Sequence, residues 1–307
     1  MYRKLNIKIL TAIFAVLLVA VVLIEIADSK KGNRTFRADL VEVNADDVTS
    51  IELYPKILAG EKIRLFKENN FWKVESGDQT YAADQSISGS LISALNNMKP
   101  ESVVATNKDR WPMFEVTDSL GTRVKLFKGD NLLADVLIGK FTFSQPRNMT
   151  SYVRLADDKE VYGVNGMIGM TFNRDLKSFR DKTVIKSTTS DWTKLSFDYP
   201  ADSSFVLEKM SDKWMVNGQA ADSASVVKYL NSISSLNEGR YAESKPVIAP
   251  THQLKIEGNN MMDPIEIIGY KLDDDNFIIE SNQNHDTYFN SPDLAKKVFV
   301  SSSKFIN

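Results

Sequence analysis

The sequence predicts an α+β protein in which two tandem related domains follow one N-terminal transmembrane helix. Three observations lead to this prediction: an apolar segment near the N-terminus, the alternation of apolar and polar residues that is typical of antiparallel strands, and a motif that occurs twice. Each domain is expected to contain a β-hairpin, a covering helix and further antiparallel strands. The predicted order is a short head at residues 1–8, an anchor at 9–27, a linker at 28–44, and related domains at 45–186 and 190–307.

The N-terminal segment has the length and composition of a membrane span. Residues 5–27 would form a helix of about 34 Å at about 1.5 Å per residue, which is enough to cross a bilayer. We therefore predict that residues 9–27 contact membrane lipid. A cleaved signal peptide is the alternative, although Ala27-Asp28-Ser29 would serve poorly as its cleavage site.

The orientation of this segment is not decided by charge. Basic residues lie on both sides of it, and those that follow it slightly outnumber those that precede it. The short head and the large polar remainder are typical of inner-membrane anchors that display an outer domain. We therefore expect a single-pass protein of the cell inner membrane, with the bulk of the chain in the periplasm.

Each domain is predicted to begin with a hairpin. Apolar residues alternate with polar ones on both sides of a polar turn, and the second copy follows the first at a constant offset of 142 residues. The matched apolar positions are Ile63, Leu65, Trp72 and Val74 in the first copy and Phe205, Leu207, Trp214 and Val216 in the second. Chance likeness is the alternative, but two of only four tryptophans at matched positions argue against it.

A helix is predicted after each hairpin. Asp84 and Asp222 are the expected N-caps, because a carboxylate there accepts hydrogen bonds from the free backbone N–H groups of the first turn. The apolar faces are predicted to be Ile87, Leu91, Ile92, Leu95 and Met98 in the first helix and Val226, Val227, Leu230, Ile233 and Leu236 in the second. Further strands, with turns at 128–131 and 272–276, lead to short helices at 167–172 and 292–298.

The composition narrows the classes of function. An apolar content of 43% and a charged content of 25% over 307 residues are usual for globular domains, and the length suits two of them. The net charge of −2, without a long basic run, argues against a nucleic-acid partner. The absence of cysteine excludes disulfides, thiolate catalysis, cysteine zinc sites and a lipid-modified cysteine.

No residue type or spacing in the sequence predicts a catalytic, cofactor-binding or metal-binding site, so we expect no cofactor and no enzymatic activity. His252 and His285 lie far apart and are predicted to be surface residues. The run 273–276, Asp-Asp-Asp-Asn, lacks the glycine and the spacing of a calcium loop and is predicted to be a solvated turn. Without a nearby base, the many serines are poor nucleophiles.

Three residues are candidates for contact with a ligand or partner. Trp111 lies between charged residues and Pro112 and is predicted to be an exposed aromatic residue. Arg110 and Tyr152 complete this candidate site. Trp72 and Trp214 are expected in the cores, because each is in phase with an apolar strand face. The stretch 180–182, Arg-Asp-Lys, is predicted to form a salt-bridged segment at the end of the first domain.

The ordered motifs resemble a bacterial family of domains of unknown function, numbered 4340. They are Trp-x-Val, Ala-Asp followed by a helix, MFEV (113–116), IGK (138–140), YVR (152–154), VY (161–162) and FRDK (179–182). The resemblance spans most of residues 45–245 and implies one N-terminal anchor and an extracytoplasmic α+β body. Genes of the family often lie beside those of ABC-type transporter components. It implies no catalytic residue.

These observations favour a membrane-anchored extracytoplasmic accessory or scaffold protein. Its expected partner is a component of an ABC-type transporter or of another envelope complex. The alternative is an envelope binding module for peptidoglycan, polysaccharide or peptide, which would use an aromatic cleft between the two domains. A hydrolase is the third class of function that the sequence leaves open.

Overall fold

The fold is dominated by antiparallel β-sheet. The computed structural model describes residues 17–18, 37–144, 148–273 and 276–306, and nineteen strands lie within these ranges. The longest helix after residue 37 has only 11 residues. The predicted α+β class is therefore wrong. The two large sheets have nine and eight strands, and each is covered by only one helix of ten residues or more.

The predicted membrane anchor lies outside the described residues, apart from Leu17 and Leu18. In the described part of the chain, no helix combines the length and the apolar character that crossing a membrane requires.

The first unit is a nine-stranded sheet with its covering helices. Its strands are β1 (Ser50–Tyr54), β2 (Ile63–Glu68), β3 (Phe71–Ser76), β4 (Gln79–Ala82), β5 (Pro100–Ala105), β6 (Thr122–Lys128), β7 (Asn131–Ser144), β8 (Asn148–Leu155) and β9 (Val161–Asn165). Its helices are α1 (Ile87–Asn96), α2 (Trp111–Phe114) and α3 (Gly169–Phe172). The strand order is β4-β3-β2-β1-β6-β7-β8-β9-β5, and all neighbours are antiparallel.

The second unit repeats this order. Its elements are β10 (Thr183–Lys186), β11 (Trp192–Asp198), β12 (Phe205–Met210), β13 (Lys213–Val216), β14 (Gln219–Ala220), α4 (Ser223–Ile233), β15 (Ser235–Asn237), β16 (His252–Gly258), β17 (Ile265–Lys271), β18 (Phe277–Ser281), β19 (Tyr288–Asn290) and α5 (Pro292–Val298). The order β14-β13-β12-β11-β16-β17-β18-β19 matches eight strands of the first sheet, while β10 and β15 form a separate pair.

The two predicted hairpins are confirmed, and they share one register. Lys67 pairs with Trp72 in the first, and Lys209 pairs with Trp214 in the second. The two-residue turns have positive φ at both positions, as a type I′ turn requires: 50° and 68° at Asn69-Asn70, and 44° and 66° at Ser211-Asp212. Trp72 is buried, whereas Trp214 is half-buried against its core.

Both covering helices bury an apolar face against their sheet, but their starts differ. Asp222 caps α4 as predicted, and its carboxylate accepts from the Ser225 N–H at 2.9 Å. Asp84 does not cap α1, because that helix begins only at Ile87 and the Asp84 carboxylate accepts from the Ser86 N–H instead. In α4, Val227 is exposed, contrary to the prediction, and Tyr229 is buried. The residue of α4 that faces the core is therefore Tyr229 and not the predicted Val227.

Gly139 marks a close approach between β7 and the end of α2. A Cβ atom at this position would lie 2.0 Å from the carbonyl oxygen of Phe114, which is backbone and cannot rotate away. The register of β7 against β8 shifts between Ile138 and Phe141, next to this contact. Only a glycine fits here without displacing the backbone.

We expect Gly139→Ala to lower the free energy of unfolding by about 2–3 kcal/mol, because overpacking against backbone forces a shift. Gly89→Ala is the matched control. Gly89 lies within α1 and a Cβ there meets nothing within 4 Å, so we expect a gain of about 0.5–1 kcal/mol. Urea denaturation of both variants measures the difference, and equal effects would contradict the assigned contact.

Candidate functional site

The residues predicted to contact a ligand surround a small apolar cluster on the face of the first sheet opposite its main core. Trp111 is half-buried, its Nε1 donates to the Lys159 carbonyl at 3.0 Å, and the Arg154 guanidinium lies 3.7 Å from the centre of its ring. Tyr152 belongs to the same cluster, and its ring centre lies 4.7 Å from that of Phe114. Trp111 and Tyr152 are thus brought together, with Trp111 packed over an arginine.

Arg110 lies beside this cluster and is exposed. Its guanidinium is 5.7 Å from the centre of the Phe114 ring, and its Nη2 lies 3.9 Å from the sulfur of Met113. These contacts are weak, because the side chain remains in solvent. Trp111 and Tyr152 therefore belong to a packed surface cluster with Arg110 at its margin, and none of the three lines the best-formed pockets of the described residues.

A different site lies where the chain passes from the first unit to the second. Before the passage, the Asp84 N–H donates to the Phe179 carbonyl at 3.0 Å, and the Asp181 N–H donates to the Ala82 carbonyl at 2.9 Å. After it, β10 pairs with β15, and the Glu238 N–H donates to the Lys182 carbonyl at 2.8 Å. The connection is therefore tied by backbone hydrogen bonds to both units.

Arg180 lies at the centre of this connection. Its side chain is only 5% exposed, and its guanidinium carbon lies 3.5 Å from the ring centre of Tyr81 and 3.7 Å from that of Tyr241. Tyr81 belongs to β4 at the edge of the first sheet, while Tyr241 bridges to Phe289 at the edge of the second. A single planar cation is thus stacked between aromatic rings from both units.

The Arg180 guanidinium has no counter-charge. In the described ranges it takes part in no ion pair, and its Nε is buried without a hydrogen-bond acceptor. Burial lowers the pKa of Arg180. The Asp181 carboxylate accepts instead from the Thr183 N–H at 2.9 Å. The predicted salt-bridged segment is therefore wrong for Arg180, because the backbone ties on either side direct this side chain inward.

A pocket of about 500 Å³ opens beside the guanidinium. Its lining includes Arg180 and the two tyrosines that enclose its guanidinium, Tyr81 and Tyr241. The other charged residues of the lining are Glu61, Asp175, Lys177 and Glu243. The Asp175 carboxylate is already engaged, since it accepts from the Ser178 N–H at 3.1 Å and from the Ser178 hydroxyl at 2.7 Å. The remaining groups offer the planar guanidinium donor and the carboxylates of Glu61 and Glu243, which take part in no ion pair with other described residues. Such a lining suits recognition of a small polar ligand.

Arg154 shows how this protein stabilises a buried arginine that has no such pocket. It is 4% exposed and stacks on Trp111, as Arg180 stacks on its tyrosines. Its guanidinium, however, donates to the carbonyl oxygens of four residues: Val116, Leu155, Ala156 and Asp158. The contrast identifies Arg180 as the exceptional group, because buried polar groups are normally satisfied.

Neither histidine belongs to a group of metal-ligating side chains within the described residues. His252, predicted at the surface, is half-buried, and burial lowers its pKa. Its Nδ1 lies 2.9 Å from the Thr251 hydroxyl, and its ring centre is 4.9 Å from that of Tyr199. His285 is exposed. Asp274 and Asp275 of the predicted turn lie outside the described residues, and the rest of the described chain contains no group of three ligating side chains that could hold a metal.

The family of the chain follows from a comparison with family models. Residues 72–255, more than half of the chain, match the model "Domain of unknown function (DUF4340)". The chain belongs to this family. Comparisons with curated proteins and with solved structures give no match. The resemblance seen in the sequence is confirmed, and the DUF4340 match includes Arg180 and both tyrosines that clamp it.

We expect Arg180→Met to leave the free energy of unfolding unchanged or to raise it by up to about 2 kcal/mol. Removal of an uncompensated buried charge offsets the loss of two cation–π contacts. Arg154→Met is the matched control, and it should cost about 3 kcal/mol or more because it leaves buried carbonyls unsatisfied. Urea unfolding measures both variants. If Arg180→Met lowered the free energy of unfolding as much as Arg154→Met does, the result would contradict an uncompensated charge at Arg180.

The segment that carries Tyr241 is predicted to loosen in acid. Burial alone would raise the pKa of Glu238, but hydrogen bonds from Arg240, Ser291 and the backbone outweigh it and lower this pKa to about 2. Because the folded pKa lies below the unfolded one, this stabilisation is present above about pH 4.5 and is lost as the pH falls towards 2.

We expect Glu238→Gln to be less stable than the natural chain at pH 7 by about 1–2 kcal/mol, a value reduced because Arg240 is half exposed. The difference should shrink at pH 3 and approach zero near pH 2. Urea midpoints at these three pH values check this. A constant difference across them would show that the carboxylate charge does not act in this way.

Proposed function

We propose that this chain is a non-enzymatic accessory protein of the bacterial envelope that binds a ligand between its two β-sheet units. The observation that carries the proposal is the pocket beside Arg180, where a buried guanidinium lacks a counter-charge. Such a group is costly in the free protein, so a ligand that neutralises it gains affinity from relieving that cost.

Both units contribute to this pocket. Glu61 and Tyr81 come from the first unit, and Tyr241 and Glu243 come from the second. A bound ligand therefore contacts both units and favours the arrangement in which they enclose it. In the proposed accessory role, a partner protein that contacts both units senses whether the pocket is occupied.

The proposed location is the outer side of the cell inner membrane. It is supported by the apolar character of residues 9–27, which we propose to contact lipid, and by the short head before them and the large polar remainder after them. The proposed partner is a component of an ABC-type transporter or of another envelope complex. That part of the proposal is supported by the resemblance of the sequence motifs to a family whose genes often lie beside such components.

A scaffold role is the second candidate function, and it is favoured by a separate exposed apolar patch. Phe141, Phe143 and Met170 are 49%, 62% and 58% exposed, and Phe141 and Met170 line the same cavity of about 360 Å³. Exposed aromatic and methionine side chains are enriched where proteins contact one another. This patch lies in the first unit and is formed by other residues than the Arg180 pocket.

The ligand site is tested by photo-crosslinking in intact cells. A photoreactive amino acid at Gln79, an exposed residue of β4 that lines the pocket, should give an adduct of defined mass by mass spectrometry. The same substitution at Gln219, exposed at the start of the equivalent strand β14, is the control and should give none. The adduct should disappear when Arg180→Met is added. Equal labelling at the two positions would contradict a ligand site.

The location is tested by fractionation and protease treatment of spheroplasts. The full chain should sediment with membranes, remain there after an alkaline wash, and be digested by external protease. A chain that sheds from membranes in the wash, or one that is protected until the cells are lysed, would contradict the proposed location.

A further inference from the structure

We infer that the pocket beside Arg180 takes a ligand that carries a carboxylate together with an ammonium group, as in a free amino acid or the end of a short peptide. The inference rests on the proposed function and names the chemistry of its ligand. It is carried by the geometry of the guanidinium and by the charges that surround it.

The guanidinium can receive a ligand only at its edge. Both of its faces are covered by rings, at 3.5 Å and 3.7 Å, so an approaching group must lie in the guanidinium plane. The Nε is buried and has no hydrogen-bond acceptor in the described part of the chain, while other atoms of Arg180 line the pocket. A carboxylate matches this planar edge, because its two oxygens accept parallel hydrogen bonds from an arginine. The Tyr241 hydroxyl is already used, since it donates to the Asp181 carbonyl at 3.1 Å.

The rim of the pocket disfavours a bare anion. Two lining residues are positively charged, Arg180 and Lys177, and three are negatively charged, Glu61, Asp175 and Glu243. A phosphate or a dicarboxylate would meet the three carboxylates, and a simple cation would meet the buried arginine. A zwitterion satisfies both sets, with its carboxylate at Arg180 and its ammonium near Glu61 or Glu243.

The size of the pocket agrees with this class. About 500 Å³ lies within the range of small-molecule sites and is enough for one or two amino-acid residues. The tyrosine rings beside the guanidinium offer apolar surface to the ligand's carbon atoms. Polar groups of both charges and apolar walls are what a peptide end requires.

The experiment uses four forms of one dipeptide and the purified full chain in mild detergent, with binding measured by calorimetry. The probes are alanyl-alanine, its C-terminal amide, its N-acetyl derivative, and the derivative with both ends blocked. We expect the zwitterion to bind best, the amide to bind at least about tenfold more weakly, and the N-acetyl form about threefold or more weakly. Free alanine and tetra-alanine distinguish a free amino acid from a peptide end as the source.

Variants assign each charge. In Arg180→Gln the acid and the amide should bind equally, and in the double variant Glu61→Gln, Glu243→Gln the N-acetyl form and the free amine should bind equally. Lys228→Gln, an exposed change on α4 that removes one positive charge, controls for net charge and should bind like the natural chain. Thermal unfolding verifies that each variant is folded.

The inference is overturned if the amide binds as well as the acid, if the doubly blocked probe binds best, or if none of the four binds. The photo-crosslink at Gln79 decides the proposed function separately. An adduct at Gln79 without binding of any of these probes would leave a ligand site whose ligand is not a zwitterion. Loss of the adduct and of all binding would remove both proposals.

Discussion

The burial of Arg180 between Tyr81 of the first unit and Tyr241 of the second is the constraint around which the junction is arranged. Each cation–π contact stabilises by about 0.5–2 kcal/mol. Removing a charged group from water costs several kcal/mol even after the protein relaxes. The two ring contacts therefore do not offset the burial of this charge by themselves. The backbone hydrogen bonds that tie Phe179 and Asp181 to the first unit hold the side chain in place.

The junction arises from a difference between two otherwise similar sheets. In the first unit β5 pairs along β9 at the sheet edge. In the second unit, two segments after α4 replace the single edge strand. The first, β15, pairs with β10, and the second, around Tyr241, bridges to β19. The Asn290 N–H donates to the Arg240 carbonyl and the Ala242 N–H donates to the Tyr288 carbonyl, each within 2.9 Å. This division brings Tyr241 to the arginine that leaves the first unit.

Local patterns in the sequence predicted the local structure well. The hairpins were found because strand alternation and turn residues lie within a dozen positions, and the cap at Asp222 was found for the same reason. The sequence of Asp84 looks equivalent, but the Gln85 side chain bonds to the backbone of Trp72 at 2.8 Å and 3.0 Å, and α1 starts later. Tertiary hydrogen bonds outside the motif thus decided that helix start.

The fold class and the site depended on contacts between distant parts of the chain. Strands such as β5 and β15 are too short or too irregular to show a clear alternation of apolar and polar residues, and their partner strands hold them in place. The β content predicted from the sequence was therefore too low. Arg180 looked like one charge in a polar run, and its two tyrosines lie far from it in sequence. The FRDK motif drew attention to this position but gave no sign that the arginine is buried. Burial of a charge is a property of the assembled junction.

Tyr81 and Tyr241 are expected to hold the two units in one arrangement by enclosing Arg180, and a distance measurement between the units tests this most directly. The sequence contains no cysteine, so spin labels at Asp130→Cys and Lys228→Cys, one exposed site in each unit, can be attached without further changes. Pulsed electron paramagnetic resonance should give one narrow distance distribution, which broadens when Tyr81→Leu and Tyr241→Leu are introduced together. A distribution that is already broad in the natural background, or one that keeps its width without the two rings, would contradict this role of Tyr81 and Tyr241.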